Sequence, residues 1–227
     1  MKLIKCLAIL FALGSFLPAQ ADWVYDAADL SIPDDSGLGI QCTIDLSLSG
    51  MLESIESIEV QLTISGDSTY AYNGDLYAAL MCENGGRVVL LNRIGKTSLN
   101  PFGSTVNGFD VVFSLMTTGG DIHLLDDGVA ALDTADRLTG TWDADGRDVD
   151  PDDVVDTDPR TAGLDSFSGV NPNGKWTLLV ADVNTGGLAK LDSWGVNITA
   201  VPEPAVISLI AISGFIVLLG RRVLRRD

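Results

Sequence analysis

The stretch that most constrains this chain is 171–198, NPNGKWTLLVADVNTGGLAKLDSWGVNI. Trp176, Leu178 and Val180 alternate with Thr177, Leu179 and Ala181. Asn184, Thr185, Gly186 and Gly187 then supply turn residues, and Leu191, Trp194, Val196 and Ile198 begin a return run. A period of two interrupted by Gly and Asn predicts a hairpin-like antiparallel pair. Trp176 and Trp194 are its bulky anchors, each able to bury a large apolar area in a sandwich core.

The same alternation recurs upstream. Ile40, Cys42, Ile44, Leu46 and Leu48 alternate with Gln41, Thr43, Asp45 and Ser47, and Ile58, Val60, Leu62 and Ile64 repeat the pattern. Residues 53–59 could also be written as a helix, but the alternation runs on without a helical stop, so strand is predicted. YAALMC and RVVLLNR flank Asn84-Gly85-Gly86, a strong hairpin signal. Residues 109–115 and 122–125 read as further short strands. The prediction is an all-β protein, an antiparallel jelly-roll-like sandwich of about eight strands. No repeat of 20–50 residues is visible.

The two ends read as addresses. Lys2 and Lys5 precede an apolar run at 7–17, and Ala19-Gln20-Ala21 provides a small-residue cleavage site. Residues 1–21 are therefore predicted to be a secretory signal peptide, cut by signal peptidase between Ala21 and Asp22. Cys6 lies too early for a lipoprotein site and is read as part of the signal. At the other end Val201-Pro202-Glu203-Pro204 leads into sixteen uncharged residues, 205–220, followed by RRVLRRD. Such a run spans roughly 24 Å as a helix, extended by Val223 and Leu224 while the arginines reach the headgroups. Arg221, Arg222, Arg225 and Arg226 predict a cytoplasmic C-terminus, with the body outside the inner membrane. The domain body is thus 22–200, with its core at about 31–199. It holds 29 acidic and eight basic residues, a balance that argues against nucleic acid and anionic membranes as partners.

Within that body the loop 142–156 concentrates carboxylates, seven Asp between 143 and 156. Dense carboxylates with a Gly turn suit Ca²⁺, with Asp143, Asp145, Asp148 and Asp150 as candidate ligands. The EF-hand spacing fails, since Gly146 is the fourth residue from Asp143 and Val154 stands at position twelve. A repelling, solvated loop is the competing reading. Asp75 and Asp182 are alternative ligands, or turn caps. Cys42 and Cys82 are the two cysteines of the body, and either a disulfide or two buried thiols would fit them. The single His, His123, falls between Ile122 and Leu124 and reads as a side chain on a strand face. Without a GxSxG or glycine-framed nucleophile around Ser166 or Ser168, no serine-hydrolase triad is predicted.

NGKWTLLVAD with GGLAKLDSWGVNI resembles the closing strands of the P domain (Homo B domain), the sandwich that follows the catalytic domain in kexin-like and many bacterial subtilisin-like proteases. Ile32-Pro33-Asp34 before a Gly-containing loop resembles the start of many such domains. YNGDLYAALMCENGGRVVLLNRIG resembles their G-D-L, strand, Gly turn, strand-to-Arg pattern, with Gly74, Asp75, Leu76, Arg93 and Gly95 in those places. Cys82-Glu83 stands where family members often have Ser-Pro, and 130–161 is longer and more acidic than the family pattern. V-P-E-P, apolar helix and Arg cluster are similar to the PEP-CTERM sorting signal of Gram-negative bacteria, whose exosortase cuts near Pro202, Glu203 and Pro204. Together these resemblances imply a non-catalytic protein exported through an inner-membrane-anchored intermediate to the cell surface or extracellular matrix. There it would bind exopolysaccharide, directly or through Ca²⁺, or a surface or matrix protein. The alternatives are a plain structural matrix component and an accessory domain that docks a separate subtilisin-like serine endopeptidase.

Overall fold

A computed structural model describes residues 19–20, 23–48, 54–117 and 119–201. They form an all-β sandwich of two sheets, without an α-helix among the described residues. The strands are β1 (Ala19–Gln20), β2 (Val24–Asp26), β3 (Leu30–Ser31), β4 (Ile40–Leu46), β5 (Ser54–Gly66), β6 (Leu76–Cys82), β7 (Arg87–Asn92), β8 (Phe109–Phe113), β9 (Leu138–Trp142), β10 (Gly174–Asp182) and β11 (Ala189–Val201). One sheet runs β1-β11-β5-β8-β9, with β2 and β3 also paired to β11; the other runs β4-β10-β6-β7. Residues 1–18 of the predicted signal peptide, its cleavage site at Ala21 and Asp22, the Pro202-Glu203-Pro204 motif and the helix at 205–220 lie outside the described residues, while Ala19–Gln20 form β1 against Thr199 and Ala200 of β11.

The strands form where the alternation predicts them, because each strand must hide one face. In β4 the odd partners stay exposed while Cys42, Ile44 and Leu46 are buried; in β5 Ile58, Val60, Leu62 and Ile64 are buried. The continuity of β5 from Ser54 settles residues 53–59 in favour of strand from that point on. β6 and β7 pair as the hairpin predicted around Asn84-Gly85-Gly86. Gly86 has φ +83°, and a Cβ there would lie 2.4 Å from the Phe167 ring, so the turn requires glycine on both counts.

Three expectations are corrected. β10 and β11 are not a hairpin pair: β10 lies between β4 and β6, and β11 pairs with β5 in the opposite sheet. Residues 183–188 therefore cross from one layer to the other, and Trp176 and Trp194 meet the core from opposite sides. Residues 122–124 form a 3-10 turn instead of a strand, capped by the Asp121 carboxylate accepting the His123 N–H. The place of that strand is taken by β9, which joins the sheet edge parallel to β8, in register Phe109↔Leu138, so the sandwich is not wholly antiparallel.

The core is built from the inward rows of both sheets. Trp176, Trp194, Phe109, Phe113 and Phe167 are its largest fully buried side chains. Phe167, from the 3-10 turn Leu164–Phe167, packs against Trp176 with ring centroids 5.0 Å apart at 51°. The Trp176 Nε1–H donates to the Pro172 carbonyl at 2.9 Å, so NPNG does more than turn the chain: it satisfies the indole.

The topology decides the cysteine question. Cys42 is level with Leu178 of β10, and Cys82 is level with Trp176 on β10's other edge. Two strand spacings separate them, roughly 9–10 Å across the sheet before the two-residue offset is added. A disulfide needs Cα atoms within about 7 Å, and both thiols are free and buried. Burial pushes both thiols above their ordinary range.

Trp176→Ala should lower the unfolding free energy by about 3–5 kcal/mol in urea titrations, whereas Leu99→Ala, at a side chain 95% exposed, should stay within about 0.5 kcal/mol. Cys42 and Cys82 should both react with a thiol reagent after denaturation without reductant, and reductant should leave the unfolding midpoint in place.

Candidate functional site

The acidic loop follows directly from β9, and its carboxylates do not converge. Asp143 reaches Arg160, Oδ2 to Nη1 3.3 Å, at the surface. Asp145 is fully buried. Its Oδ2 lies 2.7 Å from His123 Nδ1 and accepts the Asn92 N–H at 3.2 Å, while Oδ1 accepts the Arg147 N–H and its guanidinium. Asp148 pairs with Arg87 at 2.7 Å on an exposed face. Asp150 accepts the Asp152 N–H at 3.0 Å and holds a local turn. Each predicted calcium ligand is thus spent on a different partner. Among the described residues no three His, Cys, Asp or Glu side chains are grouped to hold a metal ion.

The loop is instead a brace against β7. The Asp145 and Gly146 N–H groups donate to the Leu90 and Val89 carbonyls, and Asn92 Nδ2 donates to the Arg147 and Val149 carbonyls. Gly146 has φ +72°, and a Cβ there would clash with the Ala162 carbonyl oxygen. The Arg147 guanidinium is buried and bidentate to Asp121, at 2.9 and 3.2 Å, a geometry that suits its planar fork. Arg160 caps the Ala144 and Asp145 carbonyls. Buried Lys96 donates to the carbonyls of Pro151 and Asp152; burial lowers its amine below the usual range.

His123 is the centre of this brace and is only 1% exposed. Its Nδ1 faces the Asp145 carboxylate and its Nε2 faces the Lys96 carbonyl at 3.0 Å. No serine or cysteine is bonded to the ring among the described residues, and Ser166 Oγ donates to the Arg87 carbonyl elsewhere.

A second polar group lies where β10 ends. Asp75 closes the 3-10 turn Asn73–Asp75, is buried, and accepts Asn184 Nδ2 at 2.9 Å; Arg93 Nη2 stands 4.0 Å away. Asp182 is 2% exposed, and its Oδ1 has no hydrogen-bond partner. Burial pushes the Asp182 carboxyl up to about 7, with Asp75, Asp34 and Asp35 adding to the shift against the Asn184 backbone N–H. Asp75 is raised too, by burial first, with Asn184 and Arg93 opposing. Beside Asp75 opens a cleft of about 380 Å³ lined by Tyr72, Phe102, Thr105, Asn184 and Thr185.

No family model and no curated protein matches this chain. Among solved structures it is similar to the serine protease of Aeromonas sobria in complex with its chaperone, at 15% identity and a TM-score of 0.44 over 81% of this chain and 27% of that one. The same protease on its own gives 14% identity and a TM-score of 0.43 over 82% and 27%. This chain therefore spans about a quarter of either neighbour.

Asp145→Ala removes the acceptor shared by the buried His123 ring, the Asn92 N–H and Arg147 and should cost about 3–5 kcal/mol; Asp148→Ala, at an exposed pair, should cost under about 1 kcal/mol. Native Asp182 keeps a proton that the unfolded chain releases near 4. Its stabilisation is complete below that value and is lost as pH rises through about 7. Urea titrations in chelator should show this fall, and Asp182→Asn should flatten it.

Proposed function

We propose that this protein is an exported, non-catalytic sandwich of the P-domain type, displayed on the cell surface or in the extracellular matrix as a binding module. The observation that carries the non-catalytic part is the state of His123. The chain's single imidazole is sealed in the core, with both nitrogens engaged by Asp145 and Lys96. A serine hydrolase needs an imidazole that touches both nucleophile and substrate, and this one reaches neither.

The address part rests on the sequence. An n-region, apolar run and Ala19-Gln20-Ala21 support export, and Pro202-Glu203-Pro204 before an apolar run and an Arg cluster supports exosortase sorting. The binding part rests on an acidic body whose surface offers a cleft with aromatic and polar walls. Tyr72 and Phe102 are exposed there beside Asn184 and Thr185. Rings next to amide and hydroxyl groups suit a polar, non-ionic chain such as exopolysaccharide, through stacking and hydrogen bonds. A matrix protein and a separate subtilisin-like chain are the alternative partners.

Intact masses of the native protein, taken from membrane, periplasm and medium, test the address. A species that begins at Asp22 and ends near Pro204 outside the inner membrane is expected. A mass running to Asp227 in the membrane fraction contradicts sorting to the surface. Crosslinking on whole cells tests the partner: recovered polysaccharide or matrix protein supports the module, and a subtilisin-like chain as the dominant product replaces it with the accessory role.

A further inference from the structure

The chain between β8 and β9 turns apolar side chains outward. In the 3-10 turn Ile122–Leu124, Ile122 and His123 are buried, which leaves Leu124 outside at 58% exposure. Val129, a short way on, is 81% exposed. Neither side chain belongs to the core, yet both border one cleft of about 360 Å³. Leu125, Ala130 and Ala131 complete its aliphatic walls, and Trp142 at the end of β9 lines it as well. Single exposed apolar side chains are ordinary, but a group of them gathered around a concavity marks an interaction site.

Trp142 is fixed in place before any partner arrives. Its Nε1–H donates to the Thr139 carbonyl at 3.0 Å, and Gly119 lies so close that a Cβ there would come within 2.6 Å of the ring. An aromatic side chain held this way loses little freedom on binding. β9 is the last strand of its sheet, but its outer edge is already closed. The Thr139 N–H donates to the Ala131 carbonyl, the Gly119 N–H to the Thr141 carbonyl and the Asp143 N–H to the Gly120 carbonyl, and Leu132 bridges Leu138. A partner therefore cannot add a strand here and has to insert a side chain. The charge around the cleft is one-sided. Between 114 and 143 stand six aspartates against Arg137, the single arginine or lysine of that stretch. Arg137 is engaged by Asp133 at 2.7 Å and Asp110 at 3.6 Å. Asp126, which lines the cleft, and Asp136 pair with no cation among the described residues.

We propose that this cleft docks a protein segment in which one bulky apolar side chain is flanked by lysines or arginines. The apolar side chain enters against Trp142, with Leu124 and Val129 beside it, and the flanking cations face Asp126 and its acidic neighbours. The apolar insert supplies the affinity, while the charges supply orientation and salt dependence. A polar chain fits poorly, since the walls are largely aliphatic and the Trp142 N–H is already bonded. That sets this cleft apart from the one beside Asp75, with which it shares no lining residue. The assignment depends neither on export nor on the exopolysaccharide reading.

The test is a fluorescence-anisotropy titration of the purified full-length protein into labelled peptides, at low and at physiological ionic strength. The probes carry the sequences KKLKK, KKAKK and EELEE between identical ends. Saturable binding of KKLKK is expected, at least roughly tenfold tighter than that of KKAKK and weakened by salt, with no binding of EELEE. Val129→Lys and Leu124→Lys, at exposed side chains outside the core, should each weaken KKLKK at least roughly tenfold. Leu99→Lys adds the same charge at another exposed apolar position and should change the affinity less than about twofold. Equal affinity for KKLKK and KKAKK reduces the effect to general attraction by an acidic body and overturns the proposal. Equal weakening by Leu99→Lys and Val129→Lys overturns it too, as does the absence of saturable binding. Light scattering on the same samples covers self-docking: a wild-type dimer that Val129→Lys converts to monomer assigns the cleft to a second copy of this chain and overturns the proposal.

Discussion

The structure depends on one constraint: β10 and β11 must bury their inward rows against each other from opposite sheets. Trp176, Leu178 and Val180 look across the core from one layer, and Trp194, Val196 and Ile198 from the other. Because these strands are neighbours in sequence but not in a sheet, the short crossing at 183–188 fixes the spacing of the layers. The rest attaches to this frame. β4 and β6 flank β10, β5 and the short β1–β3 strands flank β11, and Phe167 closes the gap beside Trp176. The turn chemistry serves the same end, with Pro172 accepting the indole N–H.

On the flank of this frame a polar network does the work that apolar packing does in the centre. The edge strand β7 would otherwise present bare backbone groups. The acidic loop covers it with main-chain bonds at Leu90 and Val89 and then joins buried His123, Asp145 and Arg147 with half-buried Asp121 in a connected set. Such a network fixes geometry where its members are bonded, although the Arg147 Nε and the Asn92 Oδ1 stay without a partner. The imidazole and the Asp145 carboxylate, which could have suggested chemistry, are engaged in holding the edge. A separate polar group surrounds Asp75 and Asn184, at the end of the sandwich where β10 finishes.

Much of the fold was legible in the sequence because period-two burial is a local signal. Ile40–Leu46, the body of β5, both strands of the Asn84-Gly85-Gly86 hairpin, Phe109–Phe113, β10 and β11 all announce themselves that way. What period cannot carry is the identity of a strand's partner, so the crossing at 183–188 passed for a hairpin turn. β9, with the sequence Leu-Thr-Gly-Thr-Trp, has one buried residue and two small polar ones, too weak an alternation to stand out. Ile122-His123-Leu124 mimicked a strand; the readable counter-signal was Asp121, an N-cap residue placed just ahead of it. The four aspartates were legible as a charge cluster but not as four separate pairs, because Arg87 and His123 come from distant parts of the chain. Arg147 and Arg160, within or beside the loop, were the available hint. Asp182 could have been placed by parity alone, two residues past Val180.

The first part of the acidic loop, 144–147, belongs to the protein's core, while Asp148, Asp150, Asp152 and Asp153 beyond it stay exposed. Hydrogen–deuterium exchange of the native protein in chelator tests it most directly, since main-chain protection reports the stability of each bond. The account predicts that the amides of Asp145, Gly146 and Asn92 exchange as slowly as those of β10 and β11. Fast exchange across 143–161, at the rate of an exposed loop, while the strands stay protected, would contradict it.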